Sequence, residues 1–256
     1  MQHTFTLAAW NFRLARRSLL ALWGVFAAQQ AAVILWRAAQ PGAAGLGLAS
    51  HYYDTMQIFV YLGFYLLTAL AAGAATHNSR RARSGYTWAT LPGTPGQKLA
   101  AKAITIAAAE LVFAAWQLVW YIVEFYPVTA LEGWHRRQMY SAVLPAANLY
   151  EQVVTNNLFA HLLPRRPAQI VILLGILILS AAMLAALDTV RGWRKLPVFA
   201  SGLFCAWVCF GIVGIERHLE WLLDEPRYAF RIAAAAVLAV LTVWWAVRSI
   251  RRGEAA

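Results

Sequence analysis

Six apolar stretches, at about 19–36, 57–75, 99–123, 169–187, 197–215 and 232–247, constrain this chain more than any other feature. At a rise of about 1.5 Å per residue each can cross most or all of a hydrocarbon layer of about 30 Å, the shorter ones with help from interfacial flanks. In lipid, backbone N–H and C=O groups must bond within the segment, so each stretch is predicted to be an α-helix. Charges fall between the runs rather than along them. Only 13% of the 256 residues are charged and 61% are hydrophobic, against about 25% charged in soluble domains. The predicted fold class is all-α: a polytopic membrane protein with six transmembrane helices, forming a single transmembrane domain over 1–256.

Lys and Arg divide unequally between the two sides that six spans create. One side holds 14 of them, including Arg13, Arg16, Arg17, Arg80, Arg81, Lys102, Arg248 and Arg251, against only Asp188 and Glu254. The other side balances eight arginines with eight acids. The positive-inside rule therefore predicts cytoplasmic N- and C-termini in a multi-pass protein of a bacterial plasma or inner membrane. The same asymmetry explains the net charge of +11 without nucleic acid as a partner.

Several segments between spans have a character of their own. Residues 4–17 form either an interfacial helix, with Thr6, Arg13 and Arg17 on a narrow polar side, or an extension of the first span. Arg13, Arg16 and Arg17 precede the first apolar run and no small-residue cleavage site follows it, so that run is expected to be retained as a span. The long outer segment 124–167, bounded by Pro127 and Pro164, is too apolar for a free linker. It predicts short helices on or in the outer membrane surface, anchored by Trp134, Tyr140 and Tyr150. Cys205 and Cys209 lie one turn apart in an apolar run and read as small lipid- or helix-facing residues rather than a disulfide framework.

The segment 78–98 is the most informative connection. Residues 84–91 read as a short helix stopped by Pro92 and Gly93. Thr94-Pro-Gly-Gln97 then reads as a capping box, with Thr94 as N-cap, Pro95 at the first helical position and Gln97 at the third, starting the third long helix in the cytoplasm.

This arrangement resembles the permease subunits of ABC type-2 transporters. In that family an interfacial helix precedes six spans, and the loop between the second and third carries a coupling helix followed by a Leu-Pro, small or polar, basic, then Lys pattern. Leu91-Pro92 with Thr94, Lys98 and Lys102 is similar to that pattern. The resemblance implies that Arg83, Tyr86, Trp88, Leu91, Pro92 and Lys98 contact an ABC ATPase subunit, and that a second permease subunit completes a homo- or heterodimer. It implies no cofactor in this chain, ATP and Mg being held by the partner ATPase. Two features depart from the family: 79–84 lacks the acidic residue often found before the coupling helix, and the long outer segment follows the third span rather than the fifth. A basic, turn-rich loop that only enforces topology would need the arginines but not Tyr86, Trp88 and Leu91.

Glu110 is the one ionisable residue deep in a span. Insertion scales put such a group at about 2.5–3.5 kcal/mol, so it is expected to face the bundle interior or a water-filled path. Gln117 and Glu124 follow at heptad spacing and extend a polar stripe along the helix. Glu110, Gln117, Gln29 and Gln30 are therefore candidates for a translocation path, and hydrogen bonding between Glu110 and Gln29 or Gln30 is the plainer alternative.

Other patterns carry less. Gly93-Thr-Pro-Gly-Gln-Lys98 lacks the spacing and the following Ser/Thr of a phosphate loop. Glu216, His218, Glu220 and Asp224 read as an interfacial helix with Trp221 and Leu222 rather than as a metal cluster. His135 and His161 stand alone, and no nucleophile elbow or zinc-protease helix occurs. The sequence thus leads to an expectation: the membrane subunit of an ATP-driven ABC exporter for a hydrophobic or amphipathic substrate such as a peptide or lipid-like molecule. Its competitor is a six-span carrier or intramembrane enzyme centred on Glu110 that works without an ATPase.

Overall fold

The computed structural model describes residues 2–40, 42, 46–74, 90–139, 148–156, 167–190, 193, 195–202, 204–205 and 226–251. Among these the secondary structure is helical. The elements are α1 (Gln2–Ala38), α2 (Leu48–Asp54), α3 (Gln57–Ala74), α4 (Pro95–Met139), α5 (Leu149–Thr155), α6 (Pro167–Thr189) and α7 (Pro226–Arg251). Residues 195–202, 204 and 205 are helical as well.

Four helical stretches among the described residues are long and apolar enough to cross a membrane: His3–Ala38, Gln57–Ala74, Pro95–Gln138 and Ala233–Arg251, with a shorter apolar stretch, Leu177–Leu187, in α6. Their outward faces are apolar too. Leu20, Val25, Phe59, Leu66, Val119, Ile178 and Val240 are all exposed, a surface that suits lipid and not water. The chain is a helical, membrane-embedded protein.

Of the two alternatives for residues 4–17 the structure has the extension, and one further boundary differs from the sequence expectation. Residues 4–17 are not a separate interfacial helix, because α1 runs unbroken from Gln2 to Ala38. Its buried residues Ala8, Asn11, Ala15, Leu19, Trp23, Phe26, Gln30, Ile34 and Ala38 recur every three or four positions, so one face is inward along the whole length. Likewise α4 does not end near Val123 but continues through Pro127 to Met139. A proline removes only one backbone donor, the one that would reach the carbonyl of Val123, and the turns on either side hold the helix. The outer segment 124–167 therefore begins as an extension of α4, and α5 is its one described short helix.

The chain divides into two compact units, one made of 1–17, 69–110 and 170–256 and the other of 18–68 and 111–169. In the first, Leu7 and Ala8 of α1 pack on Ala101 of α4 together with Leu91 and Ile104. Thr105 Oγ1 donates to the carbonyls of Ala8 and Ala101, at 3.2 and 2.9 Å. A second cluster joins Met183 of α6, Cys205 and Ala235 of α7, where small residues permit close backbone approach.

The second unit has an aromatic centre. Phe26 lies 4.9 Å from Phe64 and 5.1 Å from Phe113, and Phe113 stacks on Tyr61 at 5.3 Å and 8°. Trp23 fills the next turn, its Nε1–H donating to Thr68 Oγ1 at 3.1 Å.

Candidate functional site

The second unit also holds a buried polar cluster where α2 packs between α4 and α5. α2 has only seven residues, too few to persist alone, and it carries no side-chain N-cap. Side chains of other helices hold its first turn instead. Gly47 N–H donates to Glu132 Oε1 at 2.9 Å, and Ala49 N–H donates to Gln152 Oε1 at 2.9 Å. Gly47 has φ 77°, a conformation that favours glycine, and a Cβ there would meet the Gln152 amide at 2.6–2.9 Å.

Glu132 is the hub. Besides Gly47 it accepts from His51 Nε2 at 2.7 Å and from Arg136 Nη2 at 3.1 Å. His51 and Glu132 are 0% and 1% exposed, so their hydrogen bond is shielded from solvent. The ring places Nε2 as donor toward a carboxylate oxygen, an assignment made from the hydrogen-bond pattern.

A second pair sits one residue along α2. Tyr52 O–H donates to Glu124 Oε2 at 2.6 Å, and Gln117 Nε2 donates to the Tyr52 oxygen at 3.3 Å. Burial first, and then the neighbouring Glu124 charge, raise the Tyr52 phenol well above its ordinary value, so it stays a donor. Tyr52 and Tyr121 meet edge to face at 5.0 Å, and Tyr121 O–H donates to the Gln152 carbonyl at 3.0 Å. At the partly exposed margin Arg37 pairs with Asp54 at 3.0 Å, an ion pair worth about 0–1 kcal/mol.

The first unit contains the two other features that the sequence singled out. Glu110 is 1% exposed, and Ser180 Oγ of α6 lies 3.4 Å from its Oε2. The turn before α4 has the reciprocal capping bonds: Thr94 N–H donates to Gln97 Oε1 at 2.9 Å, and Gln97 N–H donates to Thr94 Oγ1 at 3.3 Å. Gly93, at φ 144°, makes the turn that Leu91 and Pro92 lead into. Leu91 packs with the Leu7 and Ala101 cluster, and Lys98 is buried in the first turn of α4.

The structure thus brings Gln117 and Glu124 of the expected stripe into one network with Tyr52. Gln30 is fully buried in α1, Gln29 half-buried, and neither amide oxygen has a hydrogen-bond partner among the described residues. Arg83, Tyr86, Trp88, Tyr140, His161, Cys209 and the 216–224 acidic segment lie outside the described residues. No family model, curated protein or solved structure matches this chain. Among the described residues no three His, Cys, Asp or Glu side chains could hold a metal ion together.

Sequence reasoning missed His51, Tyr52 and Glu132 as a group. Glu132 was legible in part. On an ideal helix of 100° per residue, positions 110, 117, 124 and 132 fall within an arc of about 80°, so the polar stripe extends further than heptad counting suggests. α2 carries a weaker signal, Gly47 followed by His51-Tyr52-Tyr53-Asp54 between two apolar runs.

Proposed function

We propose that this chain is the membrane-spanning permease subunit of an ATP-driven ABC exporter. In this reading the four long apolar helices are joined by α6 and by the segment 197–215 to make six spans. The termini and the 78–98 loop face the cytoplasm of a bacterial plasma or inner membrane, and the α2 cluster with Arg37, Asp54, Glu124 and Glu132 lies at the outer end. The observation that carries the reading is the capped start of α4. A Leu-Pro-Gly turn leads into reciprocal Thr94 and Gln97 bonds that cap the first turn of a 45-residue helix. In this proposal a load arriving from the 84–91 segment meets a capped first turn that resists fraying.

Energy would come from ATP bound by a separate ATPase subunit, not from any residue of this chain, and a second permease subunit would complete the assembly. Tyr86, Trp88 and Leu91 are the contact surface in this proposal, with Arg83 and Lys98 beside them. The test is affinity purification of the tagged full chain in mild detergent with mass spectrometry. An ABC ATPase that co-purifies with the wild type and is released by Trp88→Ala or Leu91→Asp supports the proposal. A stable chain with no ATPase attached contradicts it.

A second reading, an ATPase-independent carrier or intramembrane enzyme centred on Glu110, is favoured by one observation: this carboxyl group is buried in the first unit beside Ser180. It predicts that Glu110→Gln abolishes activity while Trp88→Ala is harmless, the reverse of the exporter weighting.

A further inference from the structure

Unit 18–68 plus 111–169 contains a polar layer that the α2 cluster only touches. Three rings meet at its centre, with Phe113 5.1 Å from Phe26 and 5.3 Å from Tyr61, and Phe26 6.4 Å from Tyr61. α1 and α3 run antiparallel there, because Trp23 pairs with Thr68 while Phe26 meets Tyr61 and Phe64. α4 runs with α1, since Phe113 meets Phe26 while Gln117 reaches Tyr52 of α2, just before α3 begins.

One helical turn from each ring toward that end is a glutamine: Gln30 after Phe26, Gln57 before Tyr61 and Gln117 after Phe113. All three are buried, at 0%, 1% and 0% exposure. Gln30 Oε1 and Nε2, Gln57 Oε1 and Gln117 Oε1 have no hydrogen-bond partner among the described residues. The Gln117 orientation follows from chemistry: Tyr52 spends its proton on Glu124, so its oxygen can only accept, and Gln117 must turn Nε2 toward it. That leaves Oε1 for the layer.

A buried amide atom without a partner destabilises a fold, and three such side chains at one level point to an occupant. With Gln57 oriented as it stands, acceptors outnumber donors, three amide oxygens against one amide nitrogen. Water offers donors and acceptors equally, whereas a primary ammonium offers three N–H donors and no acceptor. Three aromatic rings lie one helical turn away, and the Glu124 carboxyl group is tied to the layer through Tyr52 and Gln117.

We propose that the Gln30, Gln57 and Gln117 layer is a binding site for a primary ammonium group, with the amide oxygens as its acceptors and the rings of Phe26, Tyr61 and Phe113 as its floor. The site lies within one unit and needs no ATPase, so it stands or falls separately from the exporter proposal.

The test uses the full chain in phosphatidylcholine nanodiscs, with thermal unfolding followed as ethylammonium chloride is added. A second preparation contains phosphatidylethanolamine, which separates a lipid headgroup from a soluble amine. The midpoint is expected to rise with ethylammonium, or to stand raised already in the phosphatidylethanolamine discs. Sodium chloride, and tetramethylammonium with its charge but no N–H, leave it unchanged. Gln30→Leu, which breaks no hydrogen bond among the described residues, weakens the response about tenfold or more, and Gln57→Leu serves as a second variant. The proposal is overturned if neither ammonium source moves the midpoint, if tetramethylammonium moves it equally, or if both variants respond as the wild type does.

Discussion

His51 Nε2 lies 2.7 Å from Glu132 Oε1, joining α2 to α4 across 81 positions of sequence with both side chains buried. The same carboxyl group holds the backbone of Gly47 and the guanidinium of Arg136. A seven-residue helix that could not stand alone is thereby fixed against a long one.

Glu132→Ala leaves those three donors without their acceptor, two of them in a shielded site. The expected loss is about 3–5 kcal/mol, because removing one partner strands a buried charged or polar group. Denaturant unfolding of the purified chain in detergent measures it. A loss below about 1 kcal/mol would mean the hub is dispensable.

Gly47 and Gly24 make a matched pair. At Gly47 the backbone is at φ 77° and a Cβ would strike the Gln152 amide, which already accepts from Ala49. Gly47→Ala is expected to cost at least about 1–3 kcal/mol. Gly24 lies within α1, where an added Cβ would meet nothing within 4 Å, so Gly24→Ala is expected to stabilise by up to about 1 kcal/mol. Parallel thermal unfolding of the two variants shows whether the signs differ.

Tyr52 supplies the pH test. Its folded-state phenol is raised above the ordinary value, chiefly by burial and next by the Glu124 charge, so its contribution to stability is fully present below pH of about 10 and is lost as pH rises beyond that. Stability above pH 10 is expected to fall more steeply in the wild type than in Tyr52→Phe. Tyr52→Phe also removes the bridge between Gln117 and Glu124, for an expected loss of about 1–3 kcal/mol at neutral pH. Identical pH profiles for the two proteins would refute the assignment.

Thr94→Ala removes the N-cap of α4 and leaves the Gln97 N–H without its oxygen. The expected cost is about 0.5–2 kcal/mol, confined to the first turn. Hydrogen exchange is the measurement, with faster exchange at residues 97–98 and unchanged protection from Ile106 onward.

Much of the fold was legible because apolar length and backbone bonding leave a membrane segment little choice but a helix. Glu110, Gln117 and Glu124 were legible for the same reason, since a polar side chain in such a helix has to turn inward. Two things were not. Proline at 127 looked like a terminus, yet one lost backbone bond does not stop a helix whose other turns are intact. The His51 and Glu132 contact joins positions 81 apart, and nothing local in either segment encodes it. The seam of α1 shows the opposite case: its three- and four-residue recurrence from Ala8 to Ala38 was in the sequence, and of the two alternatives left open for residues 4–17 the helix takes the extension.

The exporter reading makes its sharpest claim at position 88. A photo-crosslinking amino acid placed there in the full chain, expressed in cells and irradiated, is expected to yield an adduct with an ABC ATPase, while the same probe at the exposed apolar position Val119, within the long apolar helix α4, yields none. Adducts with no ATPase from positions 86, 88 and 91, in a chain that inserts and folds normally, would contradict the account.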